Sequence, residues 1–568
     1  MEGISRRGFL GWTAWTAVGL GTGAGRALGE APAPQVANGA GGEKSPALRA
    51  LDAFVERHRR ERGIPGITLG LADRERVISV RTYGHADIKT GRTLRPQDLF
   101  EIGSISKSFV AIALLQLREE GKLDLHRPIR EYLPWLRIES SYAPITIHHL
   151  LSHTSGLPNP LSLPSMPLWT AHAPGEYFHY SNTGYNILGL LLEALDQKPF
   201  REIIRTRIFA PLGMTSSEAV ISYECRSRLP VSYWPLYDDR PFQRHGPVVE
   251  APYILMDNAA GSIASVPADM ALYMRMLLNR GRSQRGALLS EESFDLFKKP
   301  VIPAPSFGKD ASYGYGIAVQ PVANRTILRH TGGMVSFSSA MQVDLDAGFG
   351  AFASVNASLA GYRPNEVVTH ALAVLRAAAA GDPLPEPPAF EDPYRLPRAG
   401  AYAGVFTAPD GRKLVLVADG EQLKLDHRGE KIVLERLAPD IFFVSHPDFA
   451  LFPLVFEREH MAVAEVSYGP DWYVSERYQG RRTFEAPAEW QGYAGHYRNE
   501  NPWEGSTRVV LRKGRLWLLG NALVPLSGGL FRLGEESHAP DRVLFDEIVN
   551  GKARRMLISG VEYRRVET

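Results

Sequence analysis

The sequence predicts an α+β fold, antiparallel strands flanked by helices in a first, larger domain, followed by two small antiparallel β-barrels. Three observations carry that expectation. Up to Gly381, amphipathic helical patterns alternate with short runs of strand-forming residues. Asp382 to Arg398 then holds six prolines, a composition that stiffens a connection and excludes a helix or a central strand. Beyond it the chain repeats itself at an offset of about ninety residues, each copy alternating apolar and polar residues between Gly, Asp and Asn turns.

At 568 residues, 44% hydrophobic and 22% charged, the chain is long enough for several globular domains. A net charge of +2 gives no reason to expect nucleic acid as a partner. Cys225 is the sole cysteine, so neither an intrachain disulfide nor a thiolate zinc site can form. The compartment is read at the N-terminus, where Ser5-Arg6-Arg7-Gly8-Phe9-Leu10 precedes a weakly apolar, Gly- and Ala-rich run to Leu28. That pattern reads as a twin-arginine export signal over residues 1–29, with a flexible segment over 30–44. Thr13, Thr16 and Thr22 interrupt the run, which is barely long enough to span a bilayer. No stable membrane anchor is expected after cleavage, and the folded protein is expected in the periplasm or secreted.

The first domain is expected over residues 45–381. Ser45 caps a helix with Pro46 in its first turn and Leu48, Leu51, Phe54 and Val55 on one face. Gly66 to Ala72 and Arg76 to Tyr83 form a hairpin across Asp73-Arg74-Glu75. A helix over Phe109 to Glu120 buries Val110, Ala113, Leu114 and Leu117 and ends at Gly121. Further helices are expected over Ile129 to Leu136, Asn186 to Leu195 and Glu366 to Ala380, and strands over Thr326 to Arg329 and within Ser338 to Val355.

Three stretches carry chemistry. Ser104 and Lys107 stand three apart at the start of a helix and so share a face. Ser104 lies where helix N–H groups are unpaired, while burial and the positive end of the helix dipole disfavour an ammonium at Lys107, which lets the amine act as a base. Tyr180-Ser181-Asn182 opens the next long helix, and a phenol facing a lysine can shuttle a proton. In His330-Thr331-Gly332-Gly333, small residues on a strand let a substrate lie along the backbone, and the Gly333 N–H can complete an oxyanion hole with that of Ser104. His149 and His153, four apart, lack the intervening glutamate of a metalloprotease and are expected to be structural; no metal and no cofactor is expected. Lys89-Thr90-Gly91 is expected to be a plain turn.

Phe100 to Lys107, His153-Thr154-Ser155-Gly156-Leu157, Tyr180-Ser181-Asn182, Asn258-Ala259-Ala260-Gly261-Ser262, Tyr313-Gly314-Tyr315-Gly316 and His330-Thr331-Gly332-Gly333, in that order, resemble the motifs of the serine β-lactamase and penicillin-binding-protein superfamily. The branch they resemble is that of class C β-lactamases, D-aminopeptidases and esterases. The resemblance implies a β-lactamase/transpeptidase-like domain: an antiparallel sheet backed by terminal helices, an all-helical lobe beside it, and the active site between them. It implies Ser104 as the acylated nucleophile and Lys107 and Tyr180 as its proton-transfer partners, with the base left open between the two. It also implies the Ser104 and Gly333 N–H groups as oxyanion donors and Asn182, Thr331 and Gly332 as substrate ligands. His330 stands where β-lactamases and carboxypeptidases carry a lysine. An imidazole of ordinary pKa is mostly neutral at pH 7, which argues against a free substrate carboxylate as the main handle.

The repeat pairs Tyr402-Ala403-Gly404-Val405-Phe406 with Tyr493-Ala494-Gly495-His496-Tyr497, and Leu423-Lys424-Leu425 with Leu516-Trp517-Leu518. After a linker over 382–398, barrels are expected over 399–484 and 485–568. They resemble the lipocalin-like barrels of D-aminopeptidase relatives, in which a barrel loop can reach the cleft. Gly469-Pro470-Asp471-Trp472-Tyr473 fits such a loop, the alternative being that Trp472 and Tyr473 belong to barrel core. The expected function is an exported serine hydrolase acting through a Ser104 acyl-enzyme on a small ester, amide or peptide, D-amino acids included. Esterase or D-amino-acid peptidase activity stands ahead of β-lactamase or D-Ala-D-Ala carboxypeptidase activity. A non-hydrolysing penicillin or peptide receptor is the alternative of another class.

Overall fold

Helix α1 (Pro46–Glu61) opens the described part of the chain and buries Leu48, Leu51, Phe54 and Val55, the stripe its sequence spacing predicts. The computed structural model describes residues 45–161, 167–359 and 361–567; the expected export signal and the segment up to residue 44 lie outside the described residues. The hairpin follows as β1 (Gly66–Asp73) and β2 (Val77–Asp87), with a short β3 (Arg92–Thr93) beyond it. The chain then leaves the sheet for a helical lobe and returns through β4 (Ile302–Pro303), β5 (Ser312–Tyr313), β6 (Ala318–Val322), β7 (Arg325–Gly333), β8 (Ser338–Asp344) and β9 (Phe349–Val355). The nine strands pair in the order β4-β5-β6-β7-β8-β9-β1-β2-β3, with β9 antiparallel to β1, so the two ends of the domain meet in mid-sheet.

Alternation along the central strands assigns two apolar faces. Ile67, Leu69, Ala340, Ala351 and Ala353 pack under α1 and the last helix, here termed the closing helix (Asn365–Ala380). Met341, Val343 and Phe352 point the other way, into a larger core shared with α2 (Ser106–Glu119), α3 (Asn182–Asp196) and α4 (Pro267–Leu278). Period-two strands buried on both faces are what a sheet sandwiched between helices requires.

Two helices differ from their expected bounds for local reasons. The helix expected to reach Leu136 stops at Tyr132, because Pro134 disfavours the α conformation at Leu133. Helix α3 begins at Asn182, four residues before the apolar pattern, because the Ser181 side chain accepts from Gly184 N and caps it.

Past the proline-rich segment, two closed eight-stranded antiparallel barrels follow, spanning Gly404–Thr407 to Asp471–Val474 and Gly495–Arg498 to Val561–Arg565. Closure pairs Thr407 with Val474 in the first and Tyr497 with Arg565 in the second. Each interior is filled by its own alternating residues, Phe406, Leu416, Leu425, Phe442 and Phe456 in one and Tyr497, Val509, Leu518, Phe531 and Phe545 in the other.

Candidate active site

Ser104 sits in a 3-10 turn, Gly103–Ile105, immediately before α2. Gly103 has φ +53°, and a Cβ there would come within 2.8 Å of Gly333 N. A Cβ on Gly332 would collide with the Ile102 carbonyl. Only glycines let the end of β7 ride this close over the turn, which brings the Gly333 N–H to the turn that carries the Ser104 N–H.

Lys107 is fully buried in the first turn of α2. Its Nζ lies 3.0 Å from Ser104 Oγ, 2.8 Å from Asn182 Oδ1 and 2.6 Å from the Ala260 carbonyl oxygen. Three oxygens would suit an ammonium, but burial outweighs these neutral acceptors and drives the pKa well below its ordinary value. A neutral amine has two N–H bonds, which go to the Asn182 and Ala260 oxygens, and one lone pair, which then faces the Ser104 hydroxyl. Both acceptors are held in turn. Asn258 Oδ1 accepts from the Ala260 and Gly261 N–H groups at 3.0 Å, fixing the loop that presents the carbonyl. Asn182 donates from its backbone N–H and from Nδ2 to Asn159 Oδ1, both at 3.1 Å.

The Tyr180 ring borders the same space, with Lys107 Nζ 4.9 Å from its centroid. Burial of the phenol raises its pKa well above the ordinary value, more than the hydrogen bond with Ser104 and the charge of Arg363 lower it, so the hydroxyl keeps its proton. His153 packs against Tyr180 at 4.2 Å between centroids and accepts the Ser181 N–H on Nδ1. His149 sits in the capping box of the helix Ile147–Leu151, so each of these two histidines serves its own local structure. Asp87 caps the Lys89-Thr90-Gly91 turn on the surface.

His330 is buried, not merely neutral by its ordinary pKa. Nδ1 lies 2.7 Å from the Thr331 carbonyl and Nε2 2.9 Å from the Tyr313 hydroxyl, so Nδ1–H donates and Nε2 accepts. Burial lowers the pKa to about 3. Thr331 and Gly332 follow on β7, paired with Ala340 and Ser339 of β8.

Of the two readings of Trp472 and Tyr473, the cleft loop is the one the structure corrects. They lie on the strand Asp471–Val474, Tyr473 in the first barrel's core and Trp472 against Tyr478 and Phe484. The barrel segment at the cleft comes instead from the second repeat. Asp541 Oδ1 accepts from Asn159 N at 3.2 Å, Asp541 Oδ2 lies 3.3 Å from His179 Nε2, and the Pro540 carbonyl accepts from Trp169 Nε1 at 2.9 Å. His538 stacks on Tyr177 at 3.8 Å.

The β-lactamase family model matches residues 51–371, the stretch that holds every one of the residues gathered around Ser104. The chain belongs to the beta-lactamase family. It is a serine hydrolase of the superfamily that also takes in the penicillin-binding proteins. Penicillin-binding protein 4* of Bacillus subtilis (strain 168) is 26% identical over 421 residues, 67% of this chain and 87% of that protein. An uncharacterized protein of Mycobacterium tuberculosis, MT1414, is 29% identical over 266 residues, 40% of this chain and 65% of its own length, just under two thirds. Among solved structures, the octameric penicillin-binding protein homologue from Pyrococcus abyssi shares the fold with a TM-score of 0.55 at 24% identity, covering 75% of this chain and all of that one. D-amino acid amidase from Ochrobactrum anthropi SV3, complexed with D-phenylalanine, superposes with a TM-score of 0.50 at 26% identity over 59% of this chain and all of that one.

Three groups at the site are absent from the sequence-based expectation. The Ala260 carbonyl belongs to a recognised motif, but a backbone oxygen has no side-chain signal. Asn159 sits between Pro158 and Pro160, two residues that fix an extended path, and that flanking was its only clue. Arg363 lies against Gly333, leaving no room for a Cβ there, and donates from Nη1 to Ser338 Oγ at 3.2 Å and to the Tyr362 carbonyl at 2.7 Å. Among the described residues no carboxylate forms an ion pair with it.

Proposed function

We propose that the protein is an exported hydrolase that cleaves an ester or amide through an acyl-enzyme on Ser104. The observation that carries this reading is the buried Lys107 Nζ 3.0 Å from Ser104 Oγ, in surroundings that push the amine's pKa well below its ordinary value. As Oγ attacks the substrate carbonyl, Lys107 takes the hydroxyl proton, a role supported by the raised pKa of the Tyr180 phenol, the other candidate base. The Ser104 and Gly333 N–H groups stabilise the oxyanion. Tyr180 gives its proton to the leaving alcohol or amine and recovers one from the Lys107 ammonium. Water then attacks the acyl carbon, loses its proton to Lys107, and Ser104 leaves with a proton returned. Export rests on Arg6-Arg7 and the weakly apolar run after them.

The favoured substrates are D-amino-acid amides and simple esters, supported by likeness to the D-amino acid amidase and by a His330 that brings no charge to the substrate. Arg363 favours a second reading, a substrate with a free carboxylate, because it is a permanent cation beside the oxyanion strand. Hydrolysis of D-alanine p-nitroanilide, p-nitrophenyl butyrate, nitrocefin and a D-alanyl-D-alanine peptide separates these. The first reading expects the anilide and the ester to turn over; turnover of the peptide alone, lost in Arg363→Ala, would replace it with the second.

A further inference from the structure

Asn182 holds Lys107, so whatever holds Asn182 governs the base. Four consecutive positions before residue 162 are zipped to the start of α3. The Pro158 carbonyl accepts from Ser181 Oγ at 2.7 Å, Asn159 Oδ1 accepts twice from Asn182, the Pro160 carbonyl accepts from Thr183 Oγ1 at 3.0 Å, and the Leu161 carbonyl accepts from Asn186 Nδ2 at 2.5 Å. Within this zipper Asn159 spends its side chain on Asn182, and its backbone N–H reaches out of the catalytic domain to Asp541.

We propose that Asp541, carried by the second barrel, is a positioning residue for the catalytic lysine: it fixes Asn159, which fixes Asn182, which holds Lys107 against Ser104. The links measure 3.2 Å from Asn159 N to Asp541 Oδ1, 3.1 Å from Asn182 Nδ2 to Asn159 Oδ1, 2.8 Å from Lys107 Nζ to Asn182 Oδ1 and 3.0 Å on to Ser104 Oγ. The anchor is rigid at its own end. Ser559 Oγ donates to Asp541 Oδ1 at 2.8 Å, and His179, the residue before Tyr180, faces Oδ2. On either side the loop is clamped, by Trp169 donating to the Pro540 carbonyl with the Arg542 guanidinium 4.6 Å over its ring, and by His538 stacked on Tyr177. Burial would raise the Asp541 carboxyl, but the contacts with His179, Ser559 and Asn159 outweigh it and hold the group ionised. A charge-assisted bond from Asn159 N to an ionised carboxylate is stronger than a bond to a neutral acceptor, so the barrel stiffens the segment that carries Asn159.

The proposal rests on Lys107 as the base of a Ser104 acyl-enzyme. It is tested by steady-state hydrolysis of p-nitrophenyl butyrate and the rate of fluorophosphonate labelling for Asp541→Ala, Asp541→Asn and Arg508→Ala in the full chain, with folding checked by thermal melts. A base displaced by a fraction of an ångström costs roughly ten- to a hundredfold, so Asp541→Ala should lose that much in kcat and labelling rate with KM changed far less. Asp541→Asn keeps an oxygen for the Asn159 N–H and should restore most of the rate. Arg508→Ala breaks a separate ion pair between the same barrel and the catalytic domain, to Asp239 at 2.6 Å, and should leave kcat alone. A folded Asp541→Ala with wild-type kcat, or an Arg508→Ala just as slow, overturns the proposal. Should Asp541→Ala not fold, Asn159→Ala breaks the relay one link nearer the lysine and decides between the same outcomes. Wild-type protein that never reacts with fluorophosphonate overturns the acyl-enzyme reading itself, and this proposal with it.

Discussion

The two barrels are copies of one fold that use the same loop in opposite ways. In the first, the segment between the strands Ile441–Val444 and Leu454–Glu459 turns back on its own barrel, with Asp448 Oδ2 2.9 Å from His427 Nε2 and Phe449 packed 5.2 Å from Tyr468. In the second, the segment between Leu530–Leu533 and Arg542–Val549 reaches the lip of the cleft through His538, Pro540 and Asp541. The first barrel meets the catalytic domain elsewhere, where buried Glu435 accepts from Arg244 N at 2.9 Å. Repetition of a fold therefore does not repeat a function, because barrel interiors are set by alternation while function is set by what a loop tip presents.

The comparison breaks outright if either barrel carries chemistry of its own. Ser104→Ala and Lys107→Ala leave both barrels untouched and should each lower kcat by about a thousandfold or more. Substantial ester hydrolysis remaining in purified Ser104→Ala would place a second catalytic set outside the cleft. The next effect sharpens the contrast between equivalent loops: Asp448→Ala in the first barrel should leave kcat within experimental error, against the loss expected for Asp541→Ala. Equal losses would mean that the barrels act only through general stability.

Acid should separate the halves of the molecule as well. Buried His58, half-buried His149 and buried His330 have pKa values lowered to about 3, 4 and 3, and buried His153 lies well below its ordinary value, all chiefly through desolvation. All four belong to the catalytic domain. Their folded pKa values lie below the unfolded value near 6.5, so the unfolded chain binds more protons, and the stability they permit is full above pH 6.5 and lost as pH falls towards 4. Calorimetry between pH 7 and pH 5 should show the catalytic transition moving down by several degrees and the barrel transition moving less; a parallel shift of both contradicts this. The smallest effect is expected at the first barrel's docking point. Glu435→Ala should cost about 1–3 kcal/mol by leaving the Arg244 N–H unpaired, seen in denaturant unfolding, with kcat unchanged.

What the sequence makes legible follows from where the physical constraint lies. Ser104, Lys107, Tyr180, Asn182 and His330 are readable because a nucleophile, a base and a close backbone approach each demand a particular side chain at a particular spacing, and the structure brings all five to one place. The barrels are readable because a half-buried strand must alternate. Trp472 and Tyr473 mislead for the same reason. Two aromatics after Gly469-Pro470 look like a presented loop, but that pair is only a two-residue turn and the aromatics already belong to the next strand, on opposite faces. Asp541 and Asn159 are invisible in advance because their partners are a backbone N–H and an amide from distant parts of the chain, which leave no periodicity. Arg363 belongs with them, since only the collapse of β7 onto the turn at Gly103 reveals what it lies against.

The central claim is that Ser104 is acylated and then released. Rapid quenching of the protein with p-nitrophenyl butyrate, followed by peptide mass spectrometry, tests it directly. The account predicts a butyryl adduct confined to the peptide containing Ser104, which decays in wild type as product forms and is absent from Ser104→Ala. Turnover with no adduct at any quench time, or an adduct mapped to another serine, would contradict it.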